Sequence, residues 1–302
     1  MPVSPCGDGC VDHSFTRVGG LRVALRVLAA VTVLLSGIFV VLAVLVSRGR
    51  AREVLLRSWF RALLRAFGAS LRVVGAPLFQ ATPGRGVLVV SNHVSWLDEL
   101  AIDAVQPIRM VAKLDIRSWP VLGRLITAAR TVYLDRERLS LLPGTVAELA
   151  GALRAGAAVG IHAEGTTWCG LASGRYRPAL FQAALDAGVP VRPVVLRYVQ
   201  EGRTTTGAAF IGSDTLVDSM RRVLRLRRLV VEVHVLDEVA PGRAADRRAL
   251  AELVQQESER TLYGDVLVPA QRVHAGTGVP DFRHSALTST QLEVEPLTRD
   301  LD

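Results

Sequence analysis

The sequence predicts an α/β protein with a largely parallel, helix-covered sheet, preceded by an N-terminal membrane helix and an amphipathic helix. From residue 86 onward, short apolar strand patterns alternate with helical patterns, an order typical of parallel sheets. Upstream, residues 27–46 are apolar and uncharged, and residues 53–72 combine regularly spaced arginines with large apolar side chains. These three observations together indicate the fold class.

The apolar run over residues 27–46 reads VLAAVTVLLSGIFVVLAVLV. Its length matches a helix crossing a hydrocarbon core of about 30 Å. A signal peptide is disfavoured because the run is longer than an ordinary signal core and has no small-residue cleavage site beyond it. Since Arg48, Arg50 and Arg52 make the downstream flank the more basic one, we expect a cell inner membrane protein with the bulk of the chain on the cytoplasmic side.

The arginine-rich stretch over residues 53–72 predicts an amphipathic helix. Arg57, Arg61 and Arg65 recur every four residues on one side, and large apolar residues such as Phe60 occupy another. Two interpretations stay open. The helix could lie at the membrane interface among anionic headgroups, or it could pack on the folded domain with its arginines in solvent.

The chain divides into four predicted regions: an N-terminal tail (1–26, loose over residues 1–20), the anchor with the interfacial helix (27–76), the α/β domain (77–264) and a disordered tail (265–302). Strands are predicted at residues 87–90, 108–112, 131–134, 158–161, 191–198 and 229–236. Helices are predicted up to residue 105 and at residues 119–129, 144–154, 180–187, 220–227 and 245–262.

Composition favours a membrane partner. The net charge is +8, which suits nucleic acid or an anionic membrane, but aromatic residues make up only 5%. Nucleic-acid modules usually expose aromatic side chains among their basic ones, so no nucleic-acid partner is expected. Cys6 and Cys10 lie in a C-x3-C spacing without a second pair, and Cys169 is distant. We therefore predict neither a disulfide framework nor metal ligands.

The stretch that organises the domain is a strand leading into a turn with His93, followed five residues later by Asp98. On one continuous helix these two side chains would not face each other, so they meet only if His93 precedes the helix and Asp98 lies in its first turn. Ser95 provides the helix-start signal at that point. A carboxylate on one ring nitrogen makes the other a general base for a hydroxyl. The alternative is that Asp98 only completes a capping box.

A second strand ends in the turn Glu164-Gly165-Thr166-Thr167. Glycine lets the backbone approach a ligand closely, hydroxyls donate or accept, and a carboxylate can bind substrate hydroxyls. The alternative is a tight turn in which a threonine caps a helix. His162 and Glu164 also form the H-x-E of zinc deaminases, which is rejected because the paired-cysteine motif is missing.

Two basic residues follow neighbouring strands. Arg136 comes after the strand at residues 131–134 and could bind phosphate in a bidentate manner. Lys113, the only lysine of the chain, ends the strand at residues 108–112. For both residues, an ordinary solvated charge is the competing interpretation.

Together these stretches resemble the glycerolipid acyltransferases that acylate lysophosphatidic acid (1-acyl-sn-glycerol-3-phosphate acyltransferases). Residues 92–98 match the HX4D motif of that family, and Glu164-Gly165-Thr166 resembles its EGT block. Residues 113–120 with 133–136 resemble a further block, and residues 189–194 resemble a proline-containing one. The resemblance covers roughly residues 50–240 and keeps the order of the blocks.

The resemblance implies that residues 77–264 form an acyltransferase domain. It would move an acyl chain from acyl-CoA or acyl carrier protein to a lysolipid hydroxyl, with the acyl donor as co-substrate and no other cofactor. His93 would be the base and Asp98 would orient it, without an acyl-enzyme. Arg136, the turn at residues 164–166 and Lys113 would be the substrate-binding residues.

Two departures bear on the acceptor. Ala163 stands where the family usually has proline, and Thr167 stands where it usually has arginine. The EGTT form also resembles the branch that acylates lyso-ornithine lipid, which has no phosphate. Lysophosphatidic acid is kept as the first acceptor and lyso-ornithine lipid as the alternative. A non-catalytic lipid-binding membrane protein is a further alternative. A serine hydrolase is disfavoured because no Gly-x-Ser-x-Gly motif is present.

Overall fold

The structure, a computed structural model, describes residues 4–118, 131–135 and 138–264. The helices in these ranges are α1 (Gly20–Val46), α2 (Gly49–Ala66), α3 (Leu97–Val105), α4 (Leu142–Arg154), α5 (Gln182–Ala187), α6 (Leu216–Arg225) and α7 (Arg247–Tyr263). The strands are β1 (Ala69–Gly75), β2 (Val87–Ser91), β3 (Arg109–Lys113), β4 (Val132–Leu134), β5 (Ala158–His162), β6 (Val191–Gln200), β7 (Arg203–Thr204) and β8 (Leu229–Val235).

One sheet contains all of these strands, in the order β1-β8-β6-β2-β5-β3-β4, with β7 paired to β6. Strand β2 is central and pairs in parallel with β5 and β6. The β6–β8 and β6–β7 pairs are antiparallel. The predicted largely parallel sheet is therefore confirmed, with an antiparallel step on the β6 side.

Helices cover both faces of the sheet. Along β2, Val87 and Val89 join one apolar core, whereas Leu88 and Val90 join another, as the two-residue period of a strand requires. Helices α2, α3 and α6 contribute to the first core, and α4, α5 and α7 contribute to the second. A strand buried on both faces explains the unbroken Val-Leu run in the sequence.

The sequence was wrong about where the amphipathic helix ends. Helix α2 stops at Ala66, and residues 69–75, partly predicted as helix, form the edge strand β1 paired in parallel with β8. Gly68 adopts a left-handed φ of 84°, which ends a helix with little steric cost. A side chain at Gly68 would also collide with the Arg26 guanidinium. The predicted helix at 119–129 and the predicted tail at 265–302 lie outside the described residues.

The N-terminal segment also differs from the predicted loose tail. From Ser4 onward it packs on the domain, and Cys6 and Val11 are buried. Asp8 accepts hydrogen bonds from the backbone N–H and the hydroxyl of Ser213, at 3.0 and 2.8 Å. Its partners lie far away in the sequence, so no local pattern could indicate the docking.

Helices α1 and α2 form a hairpin against the domain. Helix α1 is long and apolar enough to cross a membrane, and it begins at Gly20 rather than at residue 27. The Trp59 indole N–H of α2 donates to the Val33 carbonyl of α1 at 3.0 Å. Arg61 of α2 donates to the Ala104 carbonyl of α3 at 2.9 Å. Helix α2 therefore packs on the domain, as the second interpretation expected, but Arg61 bonds α3 instead of lying in solvent.

Candidate active site

The site lies where β2 and β5 end side by side. Ser91, the last residue of β2, is in register with His162, the last residue of β5. Because the two strands are parallel, the loops that follow them leave from the same edge of the sheet. The turn with His93 and the turn beginning at Ala163 therefore meet, as the sequence predicted.

His93 and Asp98 form the expected pair, with Nδ1 of His93 2.8 Å from Oδ2 of Asp98. Helix α3 begins at Leu97, so Asp98 lies in its first turn and His93 precedes it. The same Oδ2 accepts from the backbone N–H groups of Val94 and Ser95 at 2.7 and 2.9 Å. One carboxylate therefore serves the start of the helix and holds the histidine at the same time, so the capping and the catalytic interpretations of Asp98 are compatible with each other.

This geometry fixes the tautomer of His93. An ionised carboxylate can only accept, so Nδ1 carries the proton and Nε2 presents its lone pair. Burial lowers the pKa of His93, the neighbouring His162 lowers it further, and the hydrogen bond to Asp98 only partly offsets both. Its side chain is 21% exposed, so a substrate can reach it. His93 is therefore a neutral, accessible base.

Two residues that the sequence did not single out hold this pair in place. The Tyr198 hydroxyl, on β6, donates to Oδ1 of Asp98. Asn92 bonds the backbone of Leu196 with both ends of its amide, at 3.0 and 2.8 Å. Asn92 lies within the matched motif, but the motif does not indicate what its side chain contacts. Tyr198 has no local sequence signal, because it comes near Asp98 only through the β2–β6 pairing.

A second histidine–acid pair lies against the first. The His162 ring stacks on the His93 ring with 3.9 Å between centroids and 6° between planes. Its Nε2 lies 3.0 Å from Oε1 of Glu99, and its Nδ1 lies 2.8 Å from the Ser91 hydroxyl and 3.1 Å from the Asn92 carbonyl. Nε2 donates to the Glu99 carboxylate, and Nδ1 lies beside a hydroxyl and a carbonyl, so these contacts accommodate the imidazolium form of His162.

The electrostatic surroundings of His162 agree with that assignment. Burial opposes its charge, but Glu99 outweighs the burial, and the pKa of His162 is raised. The only sequence pattern that included His162 was the H-x-E spacing, and the deaminase assignment based on it was rejected. A histidine at the end of the strand beside the catalytic turn was the available signal.

Glu164 points into the protein. It is 2% exposed, and its two oxygens accept from the backbone N–H groups of His93 and Gly174 at 2.6 and 2.7 Å. Burial raises the pKa of Glu164 to about 8. Both oxygens thus hold the turn that carries His93, and the predicted contact of Glu164 with substrate hydroxyls stays a prediction.

The comparisons with known proteins agree with this geometry. The family model described as Acyltransferase matches residues 71–197, which include His93, Asp98 and Glu164. The lyso-ornithine lipid O-acyltransferase of Pseudomonas aeruginosa is 34% identical over 215 residues, covering 70% of this chain and 80% of that protein. The chain belongs to the acyltransferase family.

Other members of the acyltransferase family show how the similarity extends. The lyso-ornithine lipid O-acyltransferase of Brucella abortus is 33% identical over 83% of this chain and 97% of its own length. The 1-acyl-sn-glycerol-3-phosphate acyltransferase of Neisseria gonorrhoeae is 34% identical over 60% of this chain and 70% of its own. The crystal structure of PlsC, the corresponding acyltransferase of Thermotoga maritima, matches with a TM-score of 0.58 at 20% identity, covering 80% of this chain and 93% of that one.

Three of the remaining predicted acyltransferase site residues, Gly165, Thr166 and Lys113, lie around the same edge. Gly165 has φ 74° and donates to the His162 carbonyl at 3.1 Å, which closes a tight turn, and Thr166 is half-buried beside it. Lys113 ends β3 at this edge and forms an ion pair with Asp115. Arg136 lies outside the described residues, so its predicted role stays a prediction.

Residues after the turn enclose His93. The Trp168 backbone N–H donates to the His93 carbonyl at 2.8 Å. The Thr167 hydroxyl donates to the carbonyl of Phe210. In this acyltransferase, the position usually held by an arginine therefore carries a hydroxyl that bonds the protein's own backbone.

Proposed function

We propose that this acyltransferase moves an acyl chain from an acyl thioester to the free hydroxyl of a lysolipid. The observation that carries the proposal is the His93–Asp98 pair, with the proton fixed on Nδ1 and the Nε2 lone pair available. The named activities of the relatives, which all use lysolipid acceptors, support the same class of reaction.

The reaction follows from this geometry. Nε2 of His93 takes the proton of the acceptor hydroxyl while its oxygen attacks the thioester carbonyl, and Asp98 stabilises the resulting imidazolium. When the tetrahedral intermediate collapses, the new ester C–O bond remains, the C–S bond breaks, and His93 returns the proton to the departing thiolate. The chain forms no acyl-enzyme in this scheme, and it requires no cofactor beyond the acyl donor.

Lysophosphatidic acid is the first acceptor we propose, with Lys113 and Arg136 as phosphate-binding residues. Lyso-ornithine lipid is a second candidate because Thr167 replaces the usual arginine and bonds the Phe210 carbonyl. The relatives named for the two acceptors have equal identity, 34% in both cases.

The donor is proposed to be acyl-CoA or acyl carrier protein. We place the chain in the cell inner membrane, with the catalytic domain on the cytoplasmic side, where both donors are made. The apolar α1 supports membrane attachment, and because the segments before and after it both pack on the domain, α1 would enter the bilayer from the side on which the domain lies. Because lysolipid acceptors reside in the bilayer, attachment to the membrane would bring the site close to its acceptor.

An acceptor screen tests the proposal. Purified protein in lipid vesicles receives labelled acyl-CoA or acyl carrier protein together with lysophosphatidic acid or lyso-ornithine lipid, and the His93→Ala variant serves as the control. We expect transfer to at least one of these acceptors, and none with the variant. Binding of lysolipid without transfer to either acceptor would favour the non-catalytic lipid-binding alternative and contradict the proposal.

A further inference from the structure

The three cysteines of the chain converge on one place. Cys6 and Cys10 lie in the N-terminal segment, and Cys169 lies in the loop that follows β5. Their Sγ atoms all lie within 4.8 Å of one another. Cys6 and Cys169 are buried, and Cys10 is partly exposed. The sequence predicted no metal ligands because Cys169 is too distant in the chain to be counted with the other two.

Contacts that involve no sulfur hold both segments in place. On the N-terminal side, the Cys10 N–H donates to the Gly7 carbonyl at 2.9 Å, and Asp8 is bound by Ser213. On the other side, Trp168, next to Cys169, donates its backbone N–H to His93. The backbone therefore presents the thiols together without needing a bond between them, as a preformed ligand set does.

We propose that Cys6, Cys10 and Cys169 bind a zinc ion as three thiolates. With Zn–S bonds of about 2.3 Å in a tetrahedral site, sulfur atoms lie roughly 3.8 Å apart, which the observed cluster reaches with small side-chain rotations. Each thiol releases its proton to solvent on binding. Water takes the fourth position, reached from the side of the partly exposed Cys10.

A disulfide is the competing chemistry for clustered thiols. It would join two sulfurs and leave the third as a thiol without a bond, whereas here all three pairs of sulfurs are close. A site of three soft ligands instead suits a thiolate-preferring metal such as zinc. The mutual proximity of all three sulfurs therefore favours zinc over a disulfide.

The zinc ion would tie the anchor to the active site. The N-terminal segment leads directly into α1, and Cys169 follows the residue whose N–H holds the His93 carbonyl. A metal at this point fixes the segment against the catalytic loop. This role is structural and is independent of the acyltransferase activity proposed above.

Metal analysis of the purified full-length protein tests the proposal without an activity assay. Reduced, chelator-treated protein is titrated with Zn²⁺, and in parallel with Co²⁺, whose thiolate charge-transfer absorption reports sulfur ligation. We expect one ion per chain, thiolate-to-cobalt bands, and a thermal midpoint that rises with Zn²⁺. Changes outside the ligand shell of zinc sites weaken binding by about 10- to 100-fold, so Cys169→Ser should weaken it more than that.

His13→Ala is the matched control, since His13 is an exposed, potentially metal-binding residue on the same segment. It should retain the metal and the cobalt bands. Substoichiometric zinc in fully reduced protein would overturn the proposal. So would cobalt spectra that are unchanged in Cys169→Ser, or zinc that is lost in His13→Ala and kept in Cys169→Ser.

Discussion

The reactivity of His93 is set by two neighbours that act in opposite directions. Asp98 accepts from Nδ1 and favours the protonated ring, whereas the stacked cation His162 and burial favour the neutral ring. A general base must be neutral before it can take a proton. The second pair, His162 with Glu99, therefore favours the neutral form of His93 that the proposed mechanism requires.

Replacing His162 by glutamine should move the acid limb of the pH profile. The pKa of His93 is below its usual value, so activity is present above that pKa and is lost as the pH falls through it. Removing the His162 cation raises the pKa of His93, and we expect the acid limb of kcat/KM to shift to higher pH. The pH profile of His13→Gln, at an exposed histidine, should match wild type. An unshifted acid limb in His162→Gln would show that the stacked cation does not lower the pKa of His93.

Asp98→Asn should reduce kcat by about 1,000- to 10,000-fold, by analogy with loss of the orienting acid in other histidine-based sites. The amide can no longer both accept from Nδ1 and stabilise the imidazolium. Asp103→Asn is the control, because Asp103 lies on the same helix and accepts a hydrogen bond from the Ile108 N–H, at 3.1 Å, rather than from His93. A kcat for Asp98→Asn within about tenfold of wild type would argue against a role of Asp98 in orienting His93 and stabilising its protonated form.

The turn after β5 holds the turn that carries His93. Glu164 accepts from His93 and Gly174, and Trp168 donates to His93 from the other side. A sequence pattern identifies the residue types of such a turn but not the direction in which a side chain points. That is why Glu164 was predicted to contact substrate.

Glu164→Gln distinguishes these two roles. Its amide group can accept from only one of the two backbone N–H groups, and a buried donor left without a partner costs about 1–3 kcal/mol. We expect a lower thermal midpoint and a lower kcat with the acceptor KM little changed. Glu252→Gln, at an exposed site, should change neither. A raised acceptor KM at an unchanged midpoint would instead restore the substrate-contact role.

The apolar surface of α1 should attach the protein to the membrane. Leu35 and Phe39 are 62% and 72% exposed, and burying an aspartate in hydrocarbon costs about 2.5–3.5 kcal/mol. We expect Leu35→Asp with Phe39→Asp to move protein from the membrane pellet to the soluble fraction. Val217→Asp places the same charge at an exposed apolar residue of α6 and should leave the pellet unchanged. Equal release by both variants would show that attachment is not local to α1.

In the whole molecule, contacts run continuously from the anchor to the base. Helix α1 packs on α2 through Trp59, α2 reaches α3 through Arg61, and the first turn of α3 carries Asp98. The N-terminal segment adds a second connection through the cysteine cluster. The His93–Asp98 pair is therefore held by the same elements that carry the apolar helix α1.

Local patterns were sufficient to predict most of this architecture. Apolar runs such as 87–90 located the strands, and the turn residues at their ends located His93 and Asp98. Features that depend on distant partners were missed. Strand β1 exists because it pairs with β8, Tyr198 matters because β6 lies beside β2, and His162 acquires its charge from Glu99 on another element. The spacing of apolar residues along a segment indicates neither the order of the strands in the sheet nor the direction in which a given side chain points.

The most direct test of the central claim is acyl transfer by His93→Ala in lipid vesicles. A general base contributes about 100- to 10,000-fold to a reaction rate, so we expect the rate of transfer to fall by at least about 100-fold. Membrane association and the thermal midpoint should stay close to wild type. No labelled acyl group should remain on the wild-type chain after denaturation. Transfer by the folded variant at a rate near wild type, or a stable acyl-enzyme, would contradict the account.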